Sequence, residues 1–306
     1  MDTLFPVRDI AWQQSPHVPD WVRDREIGLD QHNTSPEVAK YCWQSLQDYL
    51  KKDNARLGRY KIIEPGAGMG SFYNLLPKSQ RIGIDLEKYQ PDYIQHDFLT
   101  WTPTIGDKPC IAIGNPPFGY RGWHALAFLN RAAEFCEYIG FILPMSFQSD
   151  GKGSPKHRVV GMKLVHSERL PDDLFMSPNG ETIRVNTLWQ IWKKGEGAGV
   201  PDLSAANEYI DLFTVDKRKE RLCGAERMKT CKIFLQRTYF EHPPMLVNDF
   251  SKVKYVCGYG IVIKKEKRRV LNILKRIDWS RYSNLATHNC HHISMYHIRQ
   301  ALLDNL

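Results

Sequence analysis

Four consecutive residues, Asn115-Pro116-Pro117-Phe118, form a group that could hold an amine and orient it for chemistry. They follow a short apolar run, residues 110–113, which is typical of a buried parallel strand. In open α/β sheets, ligands bind at the carboxyl ends of such strands. The two prolines carry no N–H and fix φ, so the Asn115 amide and the adjacent carbonyls become rigid hydrogen-bond acceptors. Phe118 adds an aromatic face of the kind on which an extruded nucleobase stacks.

A glycine turn earlier in the chain could bind a small ligand. Residues 60–64 have the pattern of a short strand and run into Gly66, Gly68 and Gly70, which permit positive φ and close backbone approach. We predict a helix starting near Gly70, with free N–H groups at its first turn. The glycine pattern alone is weak evidence, because it occurs in nucleotide-binding and methyl-donor-binding sheets and also in turns that bind nothing. Its position between a strand and a helix supports the interpretation as a ligand site.

Two further strand ends carry carboxylates. Residues 81–85 predict a second strand ending in Asp85, and an acidic side chain at this position accepts hydrogen bonds from ribose hydroxyls. A helix N-cap or a surface turn is the alternative role for such an Asp. Residues 93–99 predict a third strand that ends in Asp97 and Phe98, where a carboxylate beside an aromatic ring could bind an exocyclic amine and flank an adenine.

The remaining periodicity predicts a doubly wound α/β fold. Ser35 and Pro36 are typical of a helix start, and we predict a helix over residues 36–51. A second helix over 123–135 is followed by strands over 138–144, 164–170 and 187–193. Alternating strands and helices with short connections predict a mostly parallel, Rossmann-like sheet of about seven strands.

The charge is unevenly distributed along the chain. Residues 1–150 have a balance of −3 and residues 151–306 a balance of +11. A nucleic acid is the natural partner of this asymmetry, although a solvated lysine-rich face is the alternative. We predict phosphate contacts from five cations of one basic run: Lys264, Lys265, Lys267, Arg268 and Arg269.

Composition suggests three regions: an N-terminal arm over residues 1–30, a catalytic domain over 31–194, and a smaller basic α+β region over 195–306 for target recognition. The seven cysteines form no C-x-x-C pair and predict reduced thiols. With no apolar leader and no long apolar run, we expect a cytoplasmic protein without a membrane partner. The histidines of residues 287–292 lack a recognised ligand spacing, so we predict no metal site.

Taken together, residues 115–118, the turn at residues 64–68, Asp85 and Asp97-Phe98 resemble the N6-adenine methyltransferases that use S-adenosylmethionine. The segment Asn33-Thr34-Ser35-Pro36, placed before the glycine turn, resembles the gamma motif order of bacterial and phage DNA adenine methyltransferases. The resemblance covers roughly residues 31–194 and implies S-adenosylmethionine as the cofactor.

The resemblance also implies a role for each matching residue. Gly66 and Gly68 would let the backbone approach the methionine part of the cofactor, whose two ends Glu64 and Thr34 would help to hold. Asp85 would bind the ribose, and Asp97 with Phe98 would hold the adenine. Asn115 and the Pro116 carbonyl, with Pro117 fixing the loop, would accept the hydrogens of the target amine, on which Phe118 would stack.

Several alternatives remain open at the level of the sequence. DNA is the preferred substrate over RNA, and the enzyme would act alone or as part of a restriction–modification pair with a specificity subunit. An RNA adenine or guanine N2 methyltransferase would use the same motif. A protein-glutamine methyltransferase and a nucleic-acid-binding protein without catalysis are further readings. The recognition sequence and the oligomeric state cannot be predicted.

Overall fold

A computed structural model describes residues 33–104, 106, 108–149, 154–171, 175–176, 182–183, 185–197, 201–216, 227, 233–247, 257–286 and 290–306. The predicted arm over residues 1–30 lies outside this part of the chain, as do residues 150–153, 217–221, 252–256 and 287–289 of the predicted loops and basic runs. Contacts divide the chain into two units, one formed from residues up to 147 with 155–198, the other from 148–154 with 199–306.

The first unit is built on a seven-stranded sheet. Its strands are β2 (Lys61–Pro65), β3 (Arg81–Asp85), β4 (Ile94–Gln95), β5 (Cys110–Gly114), β6 (Cys136–Pro144), β7 (Met162–Arg169) and β10 (Thr187–Lys194). Their order is β4-β3-β2-β5-β6-β10-β7. The strands from β4 to β6 pair in parallel, and β10 runs antiparallel to both β6 and β7. This arrangement confirms the predicted doubly wound, mostly parallel, Rossmann-like fold.

Three short strands form a separate small sheet in the first unit. They are β1 (Asn33–Thr34), β8 (Phe175–Met176) and β9 (Thr182–Ile183), and β8 pairs antiparallel with each of the other two. Through β1, the sheet holds Asn33–Thr34 next to the start of the first helix.

Two helices of the first unit confirm predictions. Helix α1 (Pro36–Lys52) starts at Ser35, whose side chain accepts the N–H of Val38 at 3.4 Å, and it buries one apolar face including Leu46. Helix α2 (Trp123–Ala133) follows β5 and is buried at every position except Arg131. An almost fully buried helix packs tightly against the sheet and so fixes the loop that precedes it.

Two predictions about the connections are wrong. The glycine turn leads into a single turn of 3₁₀ helix, Tyr73–Leu75, instead of an α-helix, because Pro77 ends the short stretch that follows the left-handed Gly70. The third strand is only β4, because the Asp97 side chain accepts the N–H of Leu99 at 2.9 Å and forms a turn that replaces the strand ladder.

The second unit is α+β, as predicted. Strands β11 (Ile210–Asp216), β12 (Ile233–Gln236) and β14 (Cys257–Ile263) form an antiparallel sheet, and β13 (Thr238–Tyr239), β15 (Asn284–Leu285) and β16 (His291–His292) form a smaller one. Helices α3 (Lys267–Arg276) and α4 (Met295–Leu303) share one core with the first of these sheets, which includes Ile261, Val270, Leu274, Trp279 and Ile298. Among the described residues, no helix is long and apolar enough to cross a membrane.

Candidate active site at the carboxyl ends of the parallel strands

The loop that begins at Asn115 leaves the carboxyl end of β5 and reaches α2 through three left-handed residues. Gly119, Arg121 and Gly122 have φ of 61°, 54° and 79°. A Cβ added at Gly119 would lie 2.6 Å from the Cβ of His124, so glycine is required there. Arg121 adopts this conformation without being glycine, and backbone strain of this kind is concentrated at functional sites.

Within the loop, the side chains differ in exposure. Asn115 and Pro117 are half-buried, Pro116 is buried, and the Phe118 ring is only 8% exposed. The carbonyl of Phe118 accepts the N–H of Ala125 at 3.3 Å, which ties the loop to the first turn of α2. The loop is therefore bonded to α2, and its aromatic ring is largely covered. That the two prolines make the loop rigid stays a prediction.

The glycine turn lies next to this loop because β2 and β5 are neighbouring strands. Gly66, Gly68 and Gly70 all have positive φ, at 63°, 49° and 84°. A Cβ added at Gly66 would lie 3.8 Å from Cδ of Pro117, which measures how closely the two segments approach. A Cβ at Gly68 would meet no atom within 4 Å, so open space lies over this residue.

Glu64 holds the turn from inside. Its carboxylate is 3% exposed and accepts the backbone N–H groups of Phe72 at 3.3 Å and Tyr73 at 2.5 Å. Burial raises the pKa of Glu64 to about 8, although these two N–H groups oppose the shift. Both carboxylate oxygens are therefore used within the turn, and the contact of Glu64 with a cofactor stays a prediction.

Asp85 holds the turn from the other side, at the end of β3. Its Oδ2 accepts the N–H of Gly68 at 2.8 Å, and its Oδ1 accepts the N–H of Glu87 at 3.1 Å. Burial raises the pKa of Asp85 above its usual value. The carboxylate is half-buried, so it links the glycine turn to an edge that a ligand can reach.

Thr34 lies beside the same turn. Its carbonyl accepts the hydroxyl of Ser71 at 2.7 Å, and it pairs in strand β1 with Phe175 of β8. The structure thus brings the N-terminal segment, far away in sequence, to the glycine turn. The side chain of Thr34 is buried, and its contact with a cofactor stays a prediction.

One carboxylate oxygen of Asp97 has no hydrogen-bond partner among the described residues. Its Oδ1 accepts the N–H of Leu99, but its Oδ2 is buried and accepts no hydrogen bond from any described residue. Burial raises the pKa of Asp97 above its usual value. A buried oxygen without a donor costs free energy, and an exocyclic amine is a donor that would satisfy it.

The predicted role of Phe98 has less support from its surroundings. Its ring is buried and packs on Phe128 at 5.3 Å between centroids and on Phe135 at 6.0 Å. In this structure Phe98 belongs to the core next to α2. Its contact with an adenine stays a prediction.

Three residues near the site were missed in the sequence. Leu86, directly after Asp85, is 46% exposed, and Met69 in the glycine turn is 64% exposed, so both offer apolar surface beside the turn. His124 is buried against the Asn115 loop, and burial lowers its pKa to about 4, so its imidazole is neutral near pH 7. In the sequence, Leu86 and Met69 are marked only by their closeness to Asp85 and to the glycine turn. Nothing in the sequence distinguishes His124 from any other histidine within a helix.

The five predicted phosphate-contact residues lie in the second unit, at and before the start of α3. Three of them have contacts within the protein. Lys264 donates to the carbonyl of Asn207, Lys265 lies 3.6 Å from the Glu208 carboxylate, and Arg269 donates to Glu266 at 2.8 Å and to the carbonyl of Leu306. Lys267 and Arg268 are exposed and make no hydrogen bond or ion pair with any described residue.

A groove of about 560 Å³ lies at the opposite edge of the first unit, at the amino ends of β5 and β6, and is lined by Arg59, Lys108, Cys110, Phe135 and Glu137 among others. It is remote from the glycine turn along the strands. In the described part of the chain, no three His, Cys, Asp or Glu side chains are grouped so that they could hold a metal ion.

No protein-family model and no curated protein match this chain. Among solved structures, a protein of Pyrococcus horikoshii provisionally described as an RNA methyltransferase is 16% identical, with a TM-score of 0.39 over 55% of this chain and 88% of its own. The magnesium protoporphyrin IX methyltransferase of Synechocystis PCC 6803, with bound S-adenosylmethionine, is 12% identical, with a TM-score of 0.35 over 51% of this chain and 80% of its own.

The type IIG restriction endonuclease BpuSI is 14% identical, with a TM-score of 0.41 over 79% of this chain and 32% of its own. Identities and TM-scores of this size describe a partial likeness. They decide neither activity nor substrate.

Proposed function

We propose that this protein transfers a methyl group from S-adenosylmethionine to the N6 amine of a flipped-out adenine in DNA. One observation carries the proposal: the glycine turn after β2 and the Asn115 loop after β5 lie side by side, as the 3.8 Å separation between a Cβ at Gly66 and the Pro117 ring indicates. A methyl donor bound at the turn and an amine held by the loop would therefore be neighbours.

The residues present fit this cofactor. No atom lies within 4 Å of a Cβ added at Gly68, so there is space for a ligand over this residue. Asp85 and Glu64 fix the turn through hydrogen bonds to its backbone N–H groups. Asp85 would accept hydrogen bonds from the ribose hydroxyls. Asp97 Oδ2 is buried and accepts no hydrogen bond from any described residue. It would accept one from the amine on the adenine of the cofactor.

The Asn115 loop would activate the target amine. When bound, S-adenosylmethionine supplies an electrophilic methyl group on a positively charged sulfur. An exocyclic amine is a poor nucleophile because its lone pair is delocalised into the ring. The Asn115 side-chain oxygen and the Pro116 carbonyl would accept its two hydrogens, which favours a tetrahedral nitrogen and frees the lone pair.

Positioning then supplies most of the remaining catalysis. The sulfur–methyl bond would break as the nitrogen–methyl bond forms, leaving S-adenosylhomocysteine, and the methylated amine would then release one proton, so no strong base is required. The imidazole of His124 packs behind the loop and is neutral near pH 7. It therefore adds no positive charge that would make the target amine less nucleophilic. Extruding the base costs a few kcal/mol, which stacking on Phe118 and contacts with phosphates would offset.

The experiment that tests the proposal uses cofactor labelled with tritium in its methyl group. The protein is incubated separately with DNA, RNA and protein pools, and labelled products are hydrolysed and separated. We expect label in DNA as N6-methyladenine. Label only in RNA would replace DNA as the substrate, and label in protein glutamine would overturn the nucleic-acid assignment.

A second experiment tests the cofactor site. Asp85→Ala removes the acceptor for the Gly68 N–H and the proposed ribose contact, so we expect affinity for S-adenosylhomocysteine to fall by about tenfold or more, equivalent to about 1.4 kcal/mol. Isothermal titration calorimetry measures the change. Lys88→Ala, at an exposed position close in sequence, is the control and should bind as the unmodified protein does.

A further inference from the structure

We infer that the exposed face of α3 is the surface that contacts the nucleic acid, through Arg268, Lys275 and Arg276, which we call the basic face. This inference rests on the proposed nucleic-acid substrate and identifies the part of the protein that binds its phosphates. It also changes the predicted set. Of the five predicted cations, Lys264, Lys265 and Arg269 have contacts within the protein. Lys267 lies on the side of α3 that carries Leu274. Lys275 and Arg276 belong to the basic run that was predicted to contact phosphates, residues 252–282, but were not among the five named cations.

The core of the second unit fixes the orientation of α3. Val270 and Leu274 are fully buried, and they pack in one cluster with Ile261, Trp279 and Ile298. The opposite side of the helix is exposed and includes Arg268, Asn272, Lys275 and Arg276. A helix held this firmly presents its cations at fixed spacing, with about 12 Å of helix axis between Arg268 and Arg276 at 1.5 Å per residue.

The sequence of α3 is unusual for a helix that is merely solvated. Its ten residues, Lys267–Arg276, include five cations and no Asp or Glu. Solvated helices usually alternate charges of opposite sign, which stabilise one another at i,i+3 and i,i+4 spacing. The cations of α3 have no such acidic partner within the helix.

Three of the five cations are placed against the helix dipole, whereas Lys275 and Arg276 lie in the last turn, where positive charge is favourable. Lys267, Arg268 and Arg269 lie in the first turn, which has no acidic residue and no side-chain cap from Glu266. Positive charge is unfavourable at a helix N-terminus. A stability cost of this kind is compensated when a polyanion binds the same surface.

Neighbouring acidic groups do not neutralise the basic face. Glu266 accepts from Arg269, Asp278 from Ser280, and Asp304 from Tyr282 and Gln300. Within the part of the chain that the structure describes, none of the three cations of the basic face makes a hydrogen bond or an ion pair. These charges are therefore available to the phosphates of a nucleic acid.

Two triple variants that remove the same charge test the inference. The first, R268A with K275A and R276A, alters the basic face. The second, K264A with K265A and R269A, alters cations that have internal contacts. Fluorescence anisotropy with labelled duplex DNA, single-stranded DNA and RNA, without cofactor and between about 50 and 200 mM salt, gives the affinity and its salt dependence.

We expect the basic-face variant to bind at least tenfold more weakly, with a slope of log K against log salt reduced by about two to three. The internal-contact variant should keep the slope of the unmodified protein within about one. A third variant, R268K with K275R and R276K, keeps the charge and should retain binding. Circular dichroism and thermal unfolding verify that all variants are folded.

Equal losses in the two triple variants, or unchanged binding in the basic-face variant, would overturn the inference. So would a failure of the unmodified protein to bind any nucleic acid at low salt. The outcome is independent of catalysis. Binding through the basic face without any methyl transfer would refute the proposed function alone, whereas methyl transfer to DNA with undiminished binding by the basic-face variant would refute this inference alone.

Discussion

Two carboxyl groups hold the glycine turn, and they do so in different environments. Asp85 is half-buried at the end of its strand and binds the N–H of Gly68, while Glu64 is enclosed and binds the N–H groups of Phe72 and Tyr73. The half-buried group can face a ligand, and the enclosed group stabilises the backbone that the ligand would touch.

Glu64 should make stability fall as the pH rises. Burial raises its pKa from 4.5 to about 8, so between these values the folded protein holds a proton that the unfolded chain has released. The associated stability is fully present below about pH 4.5 and is lost as the pH rises through about 8, with a slope of roughly 1.4 kcal/mol per pH unit.

Urea unfolding at several pH values measures this slope. In Glu64→Gln the group no longer titrates, so the difference in slope between the two proteins isolates the contribution of Glu64. The same pH dependence in both proteins would show that Glu64 is ionised in the folded state.

Residues with strong backbone preferences could be located from the sequence. The predicted strand ends place seven residues at the carboxyl edge of the sheet, and the structure has them there: Asn115, Pro116, Pro117, Gly66, Gly68, Gly70 and Asp85. Proline and glycine restrict or permit particular φ values wherever they occur, so the turns that they form are visible in the sequence. Burial was not predictable in the same way. The Phe98 ring is covered by Phe128 of α2, which is distant in sequence. The burial of Phe118, and of the Asp97 oxygen that accepts no hydrogen bond from a described residue, likewise had no signal in the sequence.

At the scale of elements, close packing between a strand and the segment that follows it positions Asp85. The Tyr93 ring lies directly over Gly83 of β3, where a Cβ would be 2.6 Å from two of its ring carbons, and it contacts the Tyr73 ring edge-on at 4.9 Å. Gly83 therefore provides the space in which Tyr93 packs. Asp85 is two residues further along the same strand.

Gly83→Ala should destabilise the protein by about 1–3 kcal/mol, because the added methyl group overlaps an aromatic ring in a packed interior. We also expect weaker binding of S-adenosylhomocysteine, because β3 must shift and Asp85 with it. Urea unfolding and calorimetry measure the two effects.

Gly58→Ala is the matched control. A Cβ at Gly58 would meet no atom within 4 Å, so its stability should change by no more than about 0.5 kcal/mol. Equal stabilities for the two variants would mean that Tyr93 does not pack on Gly83 as described.

Elements with long, regular patterns were predictable, and short irregular ones were not. Helix α1 and strands β6 and β10 closely match their predicted bounds, since their apolar spacing extends over many residues. The α-helix predicted after the glycine turn and the long third strand were wrong. There, Pro77 and the Asp97 side chain form local turns that override the periodicity.

At the scale of the whole molecule, the two units have separate cores. Leu46 is buried in the first unit and Leu274 in the second. The separation means that the proposed cofactor site and the proposed nucleic-acid surface can be altered one at a time. It also accords with the charge, because the basic excess belongs to the second half of the chain.

Leu274→Ala should destabilise the second unit by about 2–5 kcal/mol, because it leaves a cavity beneath the basic face of α3. We expect weaker binding of DNA and unchanged binding of S-adenosylhomocysteine. Leu46→Ala, a cavity of the same kind in the first unit, should weaken binding of S-adenosylhomocysteine. Loss of cofactor binding in Leu274→Ala to the same extent as in Leu46→Ala would contradict the assignment of the cofactor site to the first unit.

We propose that Asn115 accepts a hydrogen from the target amine, and the variant Asn115→Ala tests this contact. Cofactor affinity and transfer of tritium-labelled methyl groups to DNA are measured on the same preparation, with Asn115→Asp as the variant that keeps a side-chain acceptor. We predict that Asn115→Ala binds S-adenosylhomocysteine within about twofold of the unmodified protein and loses at least about a hundredfold in transfer, while Asn115→Asp retains measurable activity. Transfer by Asn115→Ala at the rate of the unmodified protein would show that the Asn115 side chain does not activate the target amine.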